Sequence, residues 1–412
     1  MDLCGGAVLK PRRILVIFGT RPEAIKLCPV VRTFRATYAS EFETRVCVTA
    51  QHREMLDQVL DLFEIQPEYD LNAMQEGQTL TSATSLILSK LESVLNSDKP
   101  DLVVVQGDTV STFCGALAAF YAGVPVAHVE AGLRTGDLRQ PFPEEMNRVV
   151  VSQLSTFHFA ATSWAASNLR SEGVPSDRIA ITGNTGIDAV LQIVERLERD
   201  ELPGAKWLQV PDNQKLIVVT AHRRESFGDG LERICKAIRT IADMPDVQIL
   251  YPVHPNPKVT EPVYRLLGGH PRIKLTSPLD YVSFVDVMRR AYLILTDSGG
   301  IQEEAPSLGK PVLVLRETTE RPEAVRAGTA TLVGTRVDDI VTNTVRLILN
   351  STEYQRRCRI HNPYGDGTAS ARIAEFLVTD RLTRAPQRSK KYGRLGPDAL
   401  PPIDTPRSIS KA

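Results

Sequence analysis

Short runs of apolar, mostly β-branched residues recur along the chain, and segments with helical periodicity separate them. The first series of candidate strands is Ile14–Phe18, Arg45–Thr49, Leu102–Val105, Val124–Val129 and His158–Ala160. A second follows as Leu216–Thr220, Val247–Val253, Arg272–Leu275, Leu293–Thr296 and Val312–Leu315. Runs that are apolar throughout, not alternating, belong to parallel strands buried on both faces. Strand and helix in alternation predict an α/β protein, and two series predict two doubly wound domains, each with its ligand edge at the carboxyl ends of its strands.

The break between the series falls near Thr182–Asn184. Arg196–Gln214, charged and carrying Pro203, Gly204 and Pro211, reads as a helix end followed by an exposed loop. From about Arg384 onward Pro, Ser, Lys and Arg dominate, and the segment reads as a disordered basic tail. The expected division is 1–183, 184–368, a helix within 369–383, and the tail 384–412. A chain of 412 residues has room for this.

Charge and cysteine content narrow the classes of function. Forty-nine Lys and Arg balance 49 Asp and Glu, so there is no global field to recruit nucleic acid or an anionic membrane. No apolar stretch reaches the roughly 18 residues of a membrane span. Ile14–Phe18, after Lys10, Arg12 and Arg13, is too short for a signal-peptide core. The six cysteines form no CxxC pair and no cluster at zinc spacing; four lie in apolar stretches and read as buried thiols, which suits the cytoplasm. No metal site is expected. GxGxxG, the P-loop and HExxH are missing from the sequence, so no nicotinamide or other cofactor is expected.

Polar residues crowd the positions just after the strands. Phe18 to Lys26 reads FGTRPEAIK: Gly19 turns the chain, Pro22 starts a helix, and Arg21 and Lys26 either reach an anion or are solvated charges. Asp108 follows the third strand, as a helix N-cap or a chemical carboxylate. Glu130 follows the next strand. Pro141–Arg148, PFPEEMNR, places Glu144 and Arg148 one helical turn apart, where the alternative to chemistry is a surface ion pair. Three carboxylates gathered at one sheet edge suit general acid–base work or the stabilisation of developing positive charge. In the second half, His222 and Arg223 stand in a cationic cluster suited to phosphate. His254 is either a ligand contact or a satisfied core histidine. Thr296–Ala305 reads TDSGGIQEEA: Ser298, Gly299 and Gly300 between strand and helix make an anion site, and Glu304 one turn on can accept the hydroxyls of a ribose. Arg321 is a second candidate diphosphate contact.

Taken together, FGTRPEAIK, TAQHREMLDQVL (49–60), GDT, HVEAGLRTG (128–136), PFPEEMNR, AHRRESFG (221–228), TDSGGIQEEAPSLGKPV (296–312) and TTERPEA resemble the non-hydrolysing UDP-N-acetylglucosamine 2-epimerase family, over roughly residues 14 to 380. The resemblance implies a glycosyltransferase-B-type fold of two Rossmann-like domains, with the active site in the cleft between them and a last helix crossing back to the first. It implies reversible conversion of UDP-N-acetylglucosamine to UDP-N-acetylmannosamine by elimination of UDP and its re-addition to 2-acetamidoglucal. The alternatives are a UDP-sugar glycosyltransferase of the same fold and a hydrolysing 2-epimerase. By motif position, Asp108, Glu130, Glu144 and His222 would serve catalysis. Arg21, Lys26, Arg148, Phe284, Ser298, Gly299, Gly300, Glu304 and Arg321 would bind substrate, with Phe284 near the uracil and Leu279 departing from a polar residue found in some members. Gln51, Gln78, Arg223 and His254 match a second nucleotide-sugar site, so the substrate is expected also to activate the enzyme. A homodimer is expected.

Overall fold

Among the described residues, seven short strands build the first half of the chain: β1 (Arg12–Phe18), β2 (Phe42–Val48), β3 (Tyr69–Asp70), β4 (Leu102–Gln106), β5 (Val126–Val129), β6 (Phe157–Ala160) and β7 (Ile179–Ile181). Their helices are α1 (Arg21–Thr37), α2 (Arg53–Leu62), α3 (Leu80–Asp98), α4 (Val110–Tyr121), α5 (Glu144–Leu154), α6 (Ser163–Ser171) and α7 (Thr185–Glu198). In this computed structural model residues 10–50, 53–73 and 77–380 are described. Gln51 and the tail expected from 384 onward lie outside the described residues.

The second half adds β8 (Lys215–Thr220), β9 (Val247–Pro252), β10 (Ile273–Thr276), β11 (Leu293–Thr296), β12 (Val312–Val314) and β13 (Ala330–Leu332). Around them run α8 (Asp229–Ala242), α9 (Pro257–Leu267), α10 (Tyr281–Arg290), α11 (Gly299–Glu304), α12 (Pro322–Ala327), α13 (Val337–Leu349), α14 (Ser351–Cys358) and α15 (Ala369–Thr379).

Every strand pairing among the described residues is parallel, in the orders β3-β2-β1-β4-β5-β6-β7 and β10-β9-β8-β11-β12-β13. Both sheets are therefore doubly wound, and strand order reverses between β1 and β4 and between β8 and β11. At those points the loops leave toward opposite faces and open a crevice. Ile14 to Phe18 and Leu102 to Val105 are buried on both faces of the first sheet, and Ile217 to Val219 and Leu293 to Leu295 on both faces of the second. This is the α/β, two-Rossmann architecture expected from the strand pattern.

Three strands escaped the sequence pattern. β3, β7 and β13 have two or three residues each and sit at sheet edges, too short to show a hydrophobic period. The stretch read as an exposed loop after Arg196 is also more firmly docked than its composition suggests. Ala205 and Leu208 within it are buried; the Ala205 amide donates to Asp286, and Arg290 donates to the Ala205 and Leu208 carbonyls. Among the described cysteines, Cys28, Cys47, Cys114 and Cys235 are buried thiols, as their apolar surroundings implied.

The last helix returns to the first sheet. Asp188 on α7 accepts the Ala369 and Ser370 amides, which caps the start of α15. Phe376 then meets Phe157 and Phe159 edge to face, with ring centroids 5.8 and 5.5 Å apart. Replacing Phe376 with Ala removes a half-buried ring and two aromatic contacts, and should cost about 2–3 kcal/mol of stability. Urea unfolding would show this as a lower midpoint at unchanged slope.

Candidate active site

Two buried carboxylates shape the loops at the strand-order reversals. Glu23, in the first turn of α1, accepts the Gly19 amide at 3.0 Å, the Thr20 amide at 2.7 Å and the Thr20 hydroxyl at 2.7 Å on one oxygen. Its other oxygen accepts the hydroxyls of Thr109 at 2.6 Å and Thr112 at 2.9 Å. One side chain thus joins the loop after β1 to the loop after β4. Asp297 does the same in the second sheet. From the end of β11 it accepts the His222 amide at 2.6 Å and the Arg223 amide at 2.7 Å, in the loop after β8. Glu23 was legible in sequence only as an acidic first-turn residue, although Thr20 and Glu23 stand at capping-box spacing. Nothing in the sequence distinguished Asp297.

Thr109 caps α4 with its hydroxyl, so the N-cap alternative for Asp108 is excluded and its carboxylate is left for other contacts. Arg148 does not pair with the Glu144 carboxylate either. Its guanidinium reaches Asp108 at 3.3 Å and Glu145 at 3.2 Å. Glu145, buried, is the structural member of the acidic pair, accepting the Thr135 and Gly136 amides. Glu144 is partly exposed and close enough to Asp108 for their charges to interact. Burial, against the pull of Arg148 and with the push of Glu130, raises the Asp108 carboxyl to about 6.

Lys26 and Arg321, both expected to reach for an anion, are ion-paired. The Lys26 ammonium lies 2.6 Å from each oxygen of Glu130. The Arg321 Nε donates to Glu303 at 2.6 Å. Each carboxylate also accepts an amide: Gln106 donates to Glu130, and Asn184 to Glu303. The two triads face one another across the cleft. Burial opposes the charge on Lys26, but Glu130 and, from the other half, Glu303 outweigh it and hold the proton more firmly than usual. Arg321 is likewise kept charged against its burial, by Glu303 first and then Glu130. The sequence could not separate Glu303 from its neighbour Glu304; helical phase does, turning Glu303 into the interior and Glu304 toward the cleft.

Gly299 has a specific steric reason. A Cβ there would come within 3.1 Å of the Arg321 guanidinium carbon, so glycine lets that side chain lie over the start of α11. Glu304 is pushed up to about 8 by burial, with Lys26 and Arg21 pulling the other way. A cavity of about 330 Å³ is lined by Arg21, Gln58 and Leu62 from the first half and by Tyr281 and Val282 from the second. The Tyr281 hydroxyl, fully buried, has no hydrogen-bond partner. Phe284 packs on the core from the same helix, α10.

His254 is exposed, which excludes a core histidine. Its ring stacks on His222 at 5.3 Å between centroids and 9° between planes. His222 Nδ1 lies 3.4 Å from Asp297; burial lowers the proton affinity of the ring, partly offset by Asp297. Gln78 donates to the Ala73 carbonyl at 3.1 Å.

Two facing doubly wound sheets with an acidic cluster on one side of the cleft, and a glycine-opened helix start under an arginine on the other, define a glycosyltransferase-B-type enzyme. Residues 35–378 match the family model described as UDP-N-acetylglucosamine 2-epimerase. A Yersinia pestis protein of that name is 55% identical over 376 residues, covering 90% of this chain and 100% of the relative. The structure of UDP-GlcNAc 2-epimerase from Neisseria meningitidis bound to UDP-GlcNAc has a TM-score of 0.81 at 48% identity, covering 89% of this chain and 100% of that one. The Methanocaldococcus jannaschii enzyme in complex with UDP-GlcNAc and UDP has a TM-score of 0.73 at 35% identity, with 89% and 100% covered. The chain belongs to the UDP-N-acetylglucosamine 2-epimerase family and is an epimerase, an isomerase.

Glu304 supplies a test of the cleft's electrostatics. Its folded-state carboxyl binds a proton more tightly than the unfolded one, whose value is 4.5. The folded state therefore loses stability, relative to the unfolded, as the pH rises through that interval. Glu304→Gln removes the penalty, so its melting temperature should gain on the parent's as pH climbs from about 5 to about 9. Parallel melting curves across that range check it; a constant offset between the two proteins would show Glu304 to be ionised throughout.

Proposed function

We propose that the enzyme interconverts UDP-N-acetylglucosamine and UDP-N-acetylmannosamine through 2-acetamidoglucal. The proton on carbon 2 of the sugar has no neighbouring carbonyl to acidify it. Breaking the bond from carbon 1 to the diphosphate oxygen first, with the electron pair leaving on UDP, builds positive charge at carbon 1. The carbon 2 proton is then lost to a carboxylate and the carbon 1–carbon 2 double bond forms. A proton returned to the opposite face of carbon 2, with re-attachment of the UDP oxygen at carbon 1, completes the inversion.

The observation that carries this reading is Asp108. Raised to about 6, beside Glu130 and Glu144, it can both hold and release a proton near neutral pH. Opposite it, Ser298–Gly300 and Arg321 suit the departing diphosphate, Glu304 with Arg21 the ribose, and Phe284 the uracil. A closed cleft keeps water from the glycal. Amide or alanine variants of Asp108, Glu130 and Glu144 should each lose on the order of 10²–10⁴-fold in turnover while retaining UDP binding. Reaction in deuterium oxide should place deuterium on carbon 2 of the product. Normal turnover in all three variants, or no deuterium at carbon 2, would sink the mechanism.

The proposal extends to activation by UDP-N-acetylglucosamine at a second site that includes Arg223 and His254. The stacking of His254 on His222 supports it, since a ligand on one ring shifts the other. The reverse reaction should speed up on adding UDP-N-acetylglucosamine, and His254→Ala should blunt that response. A reverse rate in the parent enzyme that ignores the added sugar nucleotide would end this part of the proposal.

A further inference from the structure

β4 reads Leu102-Val103-Val104-Val105-Gln106, four apolar residues and then a buried amide. A glutamine in such a place must find partners, because an unmet buried amide costs about 1–3 kcal/mol. Gln106 is held through both its backbone and its side chain. Its backbone carbonyl accepts the Thr112 hydroxyl at 2.5 Å, which fixes the strand end, and its side-chain amide nitrogen donates to Oε2 of Glu130. The sheet register sets Gln106 beside Val129, one residue before Glu130. Glu130 itself leaves β5 in the left-handed region, with φ at 62°, a conformation a non-glycine residue holds only when its surroundings insist.

Lys26 is the other partner of Glu130, and it has two claimants. The charges facing Glu130 are Lys26 from α1, Asp108 from the loop after β4, and Arg321 and Glu304 from the second half. A diphosphate entering between Lys26 and Arg321 competes with Glu130 for the Lys26 ammonium. Once that ion pair loosens, Glu130 has a strained backbone and oxygens free to take a proton, and it still needs aiming. Only an uncharged donor can do this without being drawn to the diphosphate.

We propose that Gln106 is a positioning residue for Glu130, holding one carboxylate oxygen so that the other stays directed at the sugar when Lys26 turns to the diphosphate. This rests on the reading of Glu130 as a reacting carboxylate. Its role is exerted through Glu130, the group its side-chain amide holds.

The experiment uses the full chain with UDP-N-acetylglucosamine and compares Gln106→Met, Gln106→Glu and Glu130→Gln. Gln106→Met, similar in volume but without a donor, should lose on the order of 10²-fold in kcat with KM and UDP affinity within about threefold of the parent. Gln106→Glu sets a second carboxyl against Glu130. It should be slow at alkaline pH and recover as the pH falls, when the two carboxyls share one proton and the donor is restored. A merely structural glutamine would give no such pH-dependent recovery. If Gln106→Met does not fold, the near-isosteric Gln106→Glu decides on its pH profile alone. Parent-like kcat in Gln106→Met, or a flat loss in Gln106→Glu at every pH, with Glu130→Gln slow, overturns this inference and leaves the role of Glu130 standing. Parent-like turnover in Glu130→Gln overturns both.

Discussion

A buried carboxylate that ties two loops across a change of strand order is the constraint on which the site depends. Parallel sheets deliver their loops to one edge, but the edge alone does not align them: each loop leaves a different strand, and at the reversal they diverge. Glu23 closes that gap in the first sheet with five hydrogen bonds to the loops after β1 and β4, and so sets Arg21 and Asp108 in one frame. Asp297 does so in the second with the two amides after β8, and so sets His222 against α11. Bonds from donors to a charged acceptor are worth about 1.5–3 kcal/mol each, enough to offset burying one carboxylate and still rigidify the frame. Neither carboxylate needs to touch a ligand. What they supply is preorganisation, which lets the charges beyond them act without rearranging.

Within that frame the cleft carries more charge than its solvent access would support if the charges stood alone. Removing one partner of a buried ion pair costs about 3–5 kcal/mol, because the remaining charge is stranded. Both Lys26 with Glu130 and Arg321 with Glu303 avoid the penalty by pairing, and both carboxylates add an amide. On the proposed reading, the same pairing keeps the cations available to a diphosphate. An arriving anion replaces one carboxylate partner with another acceptor, so no cation has to be desolvated anew. Steric detail serves the same end at Gly299, where any side chain would displace the Arg321 guanidinium from above the helix start.

Much of this was legible in the sequence because it follows from periodicity. Ten strands appeared as apolar runs, and the clustering of Asp108, Glu130, Glu144, Ser298–Gly300 and Arg321 just after them pointed to the sheet edges as the candidate site. What escaped was decided by packing. β3, β7 and β13 are held by a neighbouring strand and carry no period of their own. Whether Asp108 or Thr109 caps α4, and whether Glu144 or Glu145 takes Arg148, turns on about one residue of helical phase, which one-dimensional spacing does not resolve. Gln106, Glu303 and Asn184 were invisible for a related reason: each works by orienting another residue, and only the fold brings it near the residue it orients.

The two raised carboxyls show how one cleft can hold like groups at different proton affinities. Asp108 and Glu304 are both lifted by burial, to about 6 and about 8. Asp108 keeps Arg148 within 3.3 Å, which draws it back toward neutrality and leaves its proton exchangeable at the pH where an enzyme works. Glu304 has no cation at that distance among the described ion pairs, only the longer-range pull of Lys26 and Arg21, and burial holds its carboxyl higher. A carboxyl that keeps its proton is poor at shuttling one but good at giving one hydrogen bond and accepting another, as recognition of a diol requires. Arg148 thus separates the two: it draws one carboxyl back down and, by its absence from the other, leaves that one to burial.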